Sequence, residues 1–160
     1  IQLAVCLVKK NPLETIFQKA TELGVNKIIP LISERTEVKD INYERAKKIV
    51  IEATEQSNQL IPPAISKVTK LKNFLESLDQ STKLLFADIN SKNNLDIKDF
   101  KEVKSLCVLI GPEGDFTPKE RETILSKTNT IPFSLSNNIL RADTATISAI
   151  SLINFVLSDH

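Results

Sequence analysis

The sequence predicts an α/β fold: a mostly parallel sheet flanked by helices. Three observations lead there. Short apolar runs rich in β-branched residues alternate with stretches of helical periodicity along the whole chain. Helix start and stop signals separate the two kinds of segment. The 160 residues, 41% hydrophobic and 26% charged, suffice for one domain with a sizeable core, and no internal repeat or linker divides them.

The elements follow in order. Residues 1–8 read as a first strand, and Asn11 as an N-cap with Pro12 at the first helical position. Leu13, Ile16, Phe17 and Ala20 then share a helical face, which Gly24 closes. Residues 27–32 read as the next strand. A second amphipathic helix spans residues 42–59, because Ala46, Ile49, Val50 and Ala53 repeat at helical spacing while Glu44, Arg45, Lys47 and Lys48 face away. Pro62 and Pro63 exclude helix beyond it. Strands are expected at 65–68, 84–87 and 106–110, a weaker helix at 71–78, and a polar, flexible loop at 90–94. Thr117, Pro118 and Glu120 fit the N-cap, N1 and N3 positions of a capping box, so a helix must begin there. A last strand at 131–135 leads through Ser136, Asn137 and Asn138 into a helix that runs to about Leu157. Ile147, Ile150, Leu152, Ile153, Phe155, Val156 and Leu157 leave that helix almost no polar face, which requires burial in the domain or against a partner subunit.

The formal net charge of +1 gives no broad basic surface. No apolar run reaches the roughly 20 residues that cross a bilayer, and the start lacks a signal-peptide layout, so a cytoplasmic location is the default. Cys6 and Cys107 lie in apolar runs and are read as reduced, buried thiols; with a single His, His160, no metal site is expected. The chain has no Met and opens at Ile1 in what reads as mid-strand, so it is expected to be part of a longer product.

Gly111 and Gly114 are two of three glycines in the chain. They lie in a strand-to-helix turn at the carboxyl end of a buried-type strand, the edge where open α/β sheets bind ligands. The turn lacks the Gly-Lys-Ser/Thr ending of a P-loop, and Gly-x-x-Gly is too short for a dinucleotide fingerprint. Glu113 in it repels phosphate and suits a cationic or zwitterionic ligand. On these residues alone a plain tight turn and a ligand loop stand about even.

Three segments far apart carry a more specific signal: Lys19-Ala20-Thr21-Glu22-Leu23-Gly24-Val25, Ile110-Gly111-Pro112-Glu113-Gly114-Asp115-Phe116 and Ile139-Leu140-Arg141-Ala142-Asp143-Thr144-Ala145. With Pro30, Glu34-Arg35-Thr36, Glu55-Gln56-Ser57 and Pro63, their order and spacing resemble the ribosomal-RNA uridine N3-methyltransferases of the SPOUT class, over nearly the whole chain. The resemblance implies a catalytic domain with a C-terminal deep trefoil knot, S-adenosyl-L-methionine as cofactor, 16S rRNA of the small ribosomal subunit as substrate, and an obligate homodimer that completes the site. It also implies an N-terminal RNA-binding barrel of PUA type, which is absent from this chain. Cofactor contacts are implied for Leu85, Phe86 and Ala87; for Ile110, Gly111, Pro112, Glu113 and Gly114; for Leu135, Ser136, Asn138, Ile139 and Leu140; and for Thr144 and Ala145.

Uracil N3 carries a proton, so its attack needs a base or nearby positive charge. Arg35 and Arg141 are the candidate catalytic cations, and Glu113 and Asp143 the available acids. The plainer roles are a surface ion pair of Arg35 with Glu34 or Glu37, a structural pair of Arg141 with a nearby acid, and packing or pairing for Glu22 and Glu55. Ser136 stands where the family usually has Gly, Ala142-Asp143 where it has Thr-Glu, and Gln59 where it has Arg. Two alternatives accompany this reading: a ribose 2′-O-methyltransferase of the same superfamily, and an RNA-binding assembly module without catalysis.

Overall fold

The structure is a computed structural model that describes residues 1–100 and 102–158, with no side-chain description of Ile97; His160 lies outside the described residues. Seven strands form one sheet, β1 (Gln2–Cys6), β2 (Lys27–Ile32), β3 (Ala64–Ile65), β4 (Thr69–Lys70), β5 (Thr82–Ala87), β6 (Ser105–Ile110) and β7 (Thr130–Phe133). Among the described residues four α-helices lie between strands, α1 (Lys10–Glu22), α2 (Tyr43–Gln56), α3 (Leu71–Ser77) and α4 (Pro118–Ser126), and a fifth, α5 (Ala142–Ser158), follows the last strand. The strand order is β3-β2-β1-β6-β5-β7, with β4 also on β2, and every pairing is parallel.

A parallel sheet needs both faces covered, and alternation along the strands supplies two apolar faces. Leu3 and Val5 of β1, Leu85 of β5 and Val108 and Ile110 of β6 join the core under α1, α2 and α5, with Ile16, Phe17, Ile49, Ile150 and Ile153. Ala4 and Cys6, Leu84 and Phe86, and Cys107 and Leu109 point the other way, to Phe74, Phe116 and Ile124 under α3 and α4. Both cysteines are free and buried, and burial pushes each thiol up to about 12. No described helix is long and apolar enough to cross a membrane.

Helix ends show how local chemistry sets the boundaries. α1 begins at Lys10, two residues before the expected Pro12: Lys9, not Asn11, is the N-cap, without a side-chain bond, and Pro12 sits inside the first turn. That is tolerated because first-turn N–H groups have no intrahelical partner to lose. At its other end Val25 N–H donates to Ala20 O and Gly24 N–H to Thr21 O, both at 3.0 Å, with Gly24 at φ +90°: a Schellman closure that needs glycine. α2 starts where Asn42 accepts a hydrogen bond from Arg45 N–H, but it stops at Gln56 rather than residue 59. There Asn58 takes φ 57° and Gln59 N–H donates to Thr54 O at 3.0 Å, so the stop precedes both prolines. Gln59 Nε2 then donates to Thr21 O at 2.8 Å and Ser57 Oγ at 2.9 Å, which ties the ends of α1 and α2 together.

The expected strand at 65–68 is two short strands instead, because Val68 N–H donates to the Tyr43 hydroxyl at 2.6 Å rather than to β2. The first strand is shorter than expected, and β7 ends at Phe133, which leaves Leu135 in a loop. Thr117 caps α4 with both bonds of the capping box, accepting from Glu120 N–H at 3.2 Å while its own N–H donates to Glu120 Oε1 at 3.0 Å. The last helix is not fully covered: Phe155 is 68% exposed, and Leu152, Val156 and Leu157 are only partly buried.

Candidate functional site

Because all strands run parallel, their carboxyl ends share one edge, and the order β6-β5-β7 sets three loops side by side there. They enclose a cavity of about 430 Å³. Residues 87–90 at and after the end of β5, 110–115 at and after the end of β6, and Leu135, Ser136, Asn138, Ile139 and Leu140 after β7 line it, with Ala142 and Ala145 of α5. Its size falls in the usual small-molecule range of roughly 300–1,000 Å³.

Of the residues expected to hold a cofactor, Ala87, the five of residues 110–114, Leu135, Ser136, Asn138, Ile139, Leu140 and Ala145 meet in this cavity. Leu85, Phe86 and Thr144 are not among the residues that line it. Leu85 and Phe86 are at most 1% exposed and are spent on the two core layers, so only the last residue of that strand reaches the edge. Thr144 is exposed on the first turn of α5, whereas Ala142 and Ala145, three apart, share the inward face.

Asp88, Ile89, Asn90, Asp115 and Ala142 also line the cavity, and sequence reasoning missed them. Asp88 organises its β5 side. Its side chain, 2% exposed, accepts from Arg121 of α4 through Nη2 at 2.8 Å and Nε at 3.2 Å, and from Asn90 N–H at 3.0 Å. Hydrogen bonding to Asp88 in turn raises the Arg121 pKa. The only available signal was an acid directly after a buried-type strand.

The glycine turn differs in detail from its expected form. Asp115 N–H donates to Pro112 O at 2.9 Å, and it is Asp115, not a glycine, that takes the left-handed conformation at φ 63°. Gly111 is needed for space: a Cβ there would stand 3.0 Å from Phe116 Cε2. A Cβ on Gly114 would meet Arg35 only at ordinary contact distance, 3.6 Å.

Arg35, on the loop after β2, donates from Nη1 to Gly114 O at 2.9 Å. It therefore braces the glycine turn rather than pairing with Glu34 or Glu37. The same loop is anchored to α4 through Glu34 N–H and Glu120 Oε2 at 3.1 Å. Arg141 is 71% exposed, with Nε 3.6 Å from Asp143 Oδ1, a charge contact too long for a hydrogen bond. Two further concavities adjoin the cavity. One, of about 390 Å³, includes Val8, Arg35 and Thr36; the other, of about 780 Å³, includes Lys9, Lys10, Asn11 and Arg141. Glu113 lies on the wall of all three. The described residues contain no group of three or more His, Cys, Asp or Glu placed to hold a metal ion.

This arrangement can take a compact, partly apolar ligand. Ile89, Ile110, Leu135, Ile139 and Leu140 supply apolar wall, the loop backbones supply polar groups, and the charged lining residues, Asp88, Glu113 and Asp115, are all acids. Asp88 is already paired with Arg121, so it is Glu113 and Asp115 that disfavour a polyphosphate there and favour a ligand carrying positive charge.

Comparison with known proteins gives the same direction. Ribosomal RNA small subunit methyltransferase E of Rickettsia conorii is 39% identical over 163 residues, which take in 100% of this chain and 66% of that protein. The Aquifex aeolicus protein of the same name is 36% identical over 156 residues, 92% of this chain and 65% of its own length. The crystal structure of ribosomal RNA small subunit methyltransferase E from Neisseria gonorrhoeae, bound to S-adenosyl methionine, matches with a TM-score of 0.88 at 27% identity, over 97% of this chain and 65% of that one. This chain thus spans just under two thirds of the length of each relative. The family model for the RNA methyltransferase domain matches residues 1–154, and with the parallel sheet and its edge cavity inside that span, the chain belongs to the RNA methyltransferase domain family.

Proposed function

We propose that this chain carries out S-adenosylmethionine-dependent methylation of N3 of a uridine in 16S ribosomal RNA, within the small ribosomal subunit. The observation that carries the reading is the edge cavity, whose charged lining groups are acids and which opens beside two concavities that bear arginines and lysines. An apolar wall with exposed loop backbone fits an adenosine, and the acids fit a sulfonium and an amino group. When bound, the cofactor supplies an electrophilic methyl group whose positive charge is lost in the transfer.

The protein's part is to hold the two reactants in line and exclude water. Ala87, Ile110 to Gly114 and Leu135 to Leu140 hold the cofactor in this reading. Uridine enters from the side of Arg35 and Arg141. Uracil N3 gives up its proton to the Glu113 carboxylate, the acid on the wall shared by all three concavities. The guanidinium groups of Arg35 and Arg141 favour the resulting anion. The N3 lone pair then forms the new bond to the methyl carbon as the carbon–sulfur bond breaks, leaving the neutral thioether.

The partly uncovered α5 supports a homodimer in which Phe155 and its apolar neighbours meet a second copy. The deep trefoil knot and a cytoplasmic location belong to the same proposal. The deciding experiment combines calorimetric titration of S-adenosylmethionine with mass spectrometry of digested 16S rRNA after reaction. Cofactor binding and a base-methylated uridine are expected. Methylation at ribose would overturn the N3 assignment, and absence of cofactor binding would overturn the enzyme reading. Arg35→Ala and Arg141→Ala should each lower turnover by about 10²-fold, the scale of lost charge stabilisation; near-normal turnover in both would remove them from the reaction.

A further inference from the structure

With a formal net charge of +1, nothing in the overall balance attracts a polyanion, so any grip on RNA must be local. The concavity of about 780 Å³ meets that requirement. Lys9, Lys10 and Arg141 line it, against one acid, Glu113. Lys9 and Lys10 are exposed, and among the described residues neither ammonium is paired with a carboxylate. Lys19, Arg45 and Arg121 are paired with Glu22, Glu14 and Asp88. Other exposed lysines, such as Lys47 and Lys48, are as free as Lys9 and Lys10, so it is their place on the concavity that sets Lys9 and Lys10 apart. Two free cations side by side at the rim of a concave surface are available for phosphate oxygens.

The position of the concavity adds to its charge. It shares Glu113, Ile139 and Leu140 with the edge cavity, so an occupant of one lies against an occupant of the other. The edge cavity suits the smaller ligand, with apolar wall and acids, and its neighbour is more open and carries the basic side chains. A nucleotide whose base enters at Glu113 must carry its own and its neighbours' phosphates away from that acid. Lys9 and Lys10 line the concavity that adjoins Glu113 and offer those phosphates a partner.

We propose that Lys9 and Lys10 form a phosphate clamp that holds the RNA backbone next to the target nucleotide, on this domain itself. The proposal rests on the RNA methyltransferase reading above. The clamp binds backbone and carries no sequence information; it sets the register of the strand while the base is read in the cavity.

The test measures binding of this chain to a fluorescently labelled, single-stranded, uridine-containing RNA over a series of salt concentrations, for the unaltered chain, for Lys9→Ala/Lys10→Ala, and for Lys47→Ala/Lys48→Ala. The second pair changes net charge equally but lies on the exposed face of α2, outside all three concavities. Loss of the clamp should weaken binding and flatten the slope of log affinity against log salt by about 1.4, from ~0.7 for each of two single-strand phosphate contacts. The α2 pair should leave the slope within error. Lys9→Arg/Lys10→Arg should restore it, since either cation holds a phosphate. Circular dichroism checks that each variant is folded, and calorimetry with S-adenosylmethionine should give unchanged affinity in all of them.

Equal effects of the two alanine pairs would show a general charge effect and overturn the clamp. An unchanged slope in Lys9→Ala/Lys10→Ala would overturn it too, as would failure of the unaltered chain to bind the RNA while it still binds the cofactor. Failure to bind the cofactor is a separate result, which falls on the enzyme reading.

Discussion

Gly111 and Gly114 occupy one turn but answer differently to the same substitution. A methyl group on Gly111 would stand 3.0 Å and 3.2 Å from Phe116 Cε2 and Cδ2. The ring cannot retreat: Phe116 is 4% exposed and packs on Phe86 with centroids 5.8 Å apart. Overpacking of this kind costs about 1–3 kcal/mol. Neither glycine has a positive φ, so backbone strain does not enter. The stiffer unfolded chain offsets about 0.4–1 kcal/mol in both variants. Gly111→Ala is therefore expected to destabilise by roughly 1.5 kcal/mol net. Gly114→Ala, whose Cβ meets Arg35 side-chain atoms at 3.6 and 3.7 Å, should be neutral or slightly stabilising. Urea unfolding of the two variants side by side measures the difference, and calorimetry should show cofactor affinity lowered about tenfold only for Gly111→Ala, or about 1.4 kcal/mol. Adding Phe116→Leu removes the ring edge and should make the two changes non-additive. Equal midpoints for Gly111→Ala and Gly114→Ala would refute the reasoning.

Arg121→Ala leaves the Asp88 carboxylate, 2% exposed, with Asn90 N–H as its remaining partner. Since Arg121 is itself 35% exposed, the expected cost is about 2 kcal/mol, below the ~3–5 of a fully buried pair; urea unfolding should also show that adding Asp88→Asn recovers part of the loss. Thr117→Ala removes one bond of the α4 capping box and should cost about 1 kcal/mol by the same assay. Cys6 and Cys107, held up at about 12 against an ordinary value of 9.0, remain protonated in the folded chain while the unfolded chain ionises. Stability contributed by these thiols is thus fully present below pH 9.0 and lost as pH rises toward about 12, so the urea midpoint should fall across that window and Cys6→Ala/Cys107→Ala should flatten the fall. A midpoint that rises with pH there would contradict the assignment.

What the sequence shows of this fold is what neighbours in the chain decide. The Thr117 capping box, the Gly24 closure and the boundaries of β2 need only a few adjacent residues, and each stands where those residues put it. The start of α1 lies two residues before Pro12 because a proline anywhere in the first turn loses no intrahelical bond and so does not mark the first position, while the buried face of Leu13, Ile16, Phe17 and Ala20 stands where its spacing put it. Leu85 and Phe86 could not be told from Ala87 because both faces of a covered parallel strand are apolar, which erases the alternation that marks an exposed end. Asp88 was invisible for a different reason: its partner lies 33 residues away, on a helix that the sheet brings back over β5. Much of the cavity was legible because its loops are punctuated by Gly, Pro, Ser and Asn; the acids that line it acquire their setting only from tertiary contact.

The position of β1 in the middle of the sheet sets the order in which this chain can fold. One edge of Gln2–Cys6 is paired by Lys27–Leu31, soon after it in sequence, but the other waits for Cys107 to Ile110. At about 5–20 residues per second, a growing chain holds that second edge open for roughly 5–20 s. Throughout that time the free edge of β1, with its apolar residues Leu3 to Cys6, stays open, the kind of edge that templates aggregation. The helix surface beside it waits longer still, because Asn154 of α5 donates to Leu23 O at 2.8 Å only after the last helix has been made. The junction of β1 with β6 therefore closes late, and refolding from denaturant should be slow for a domain of this size.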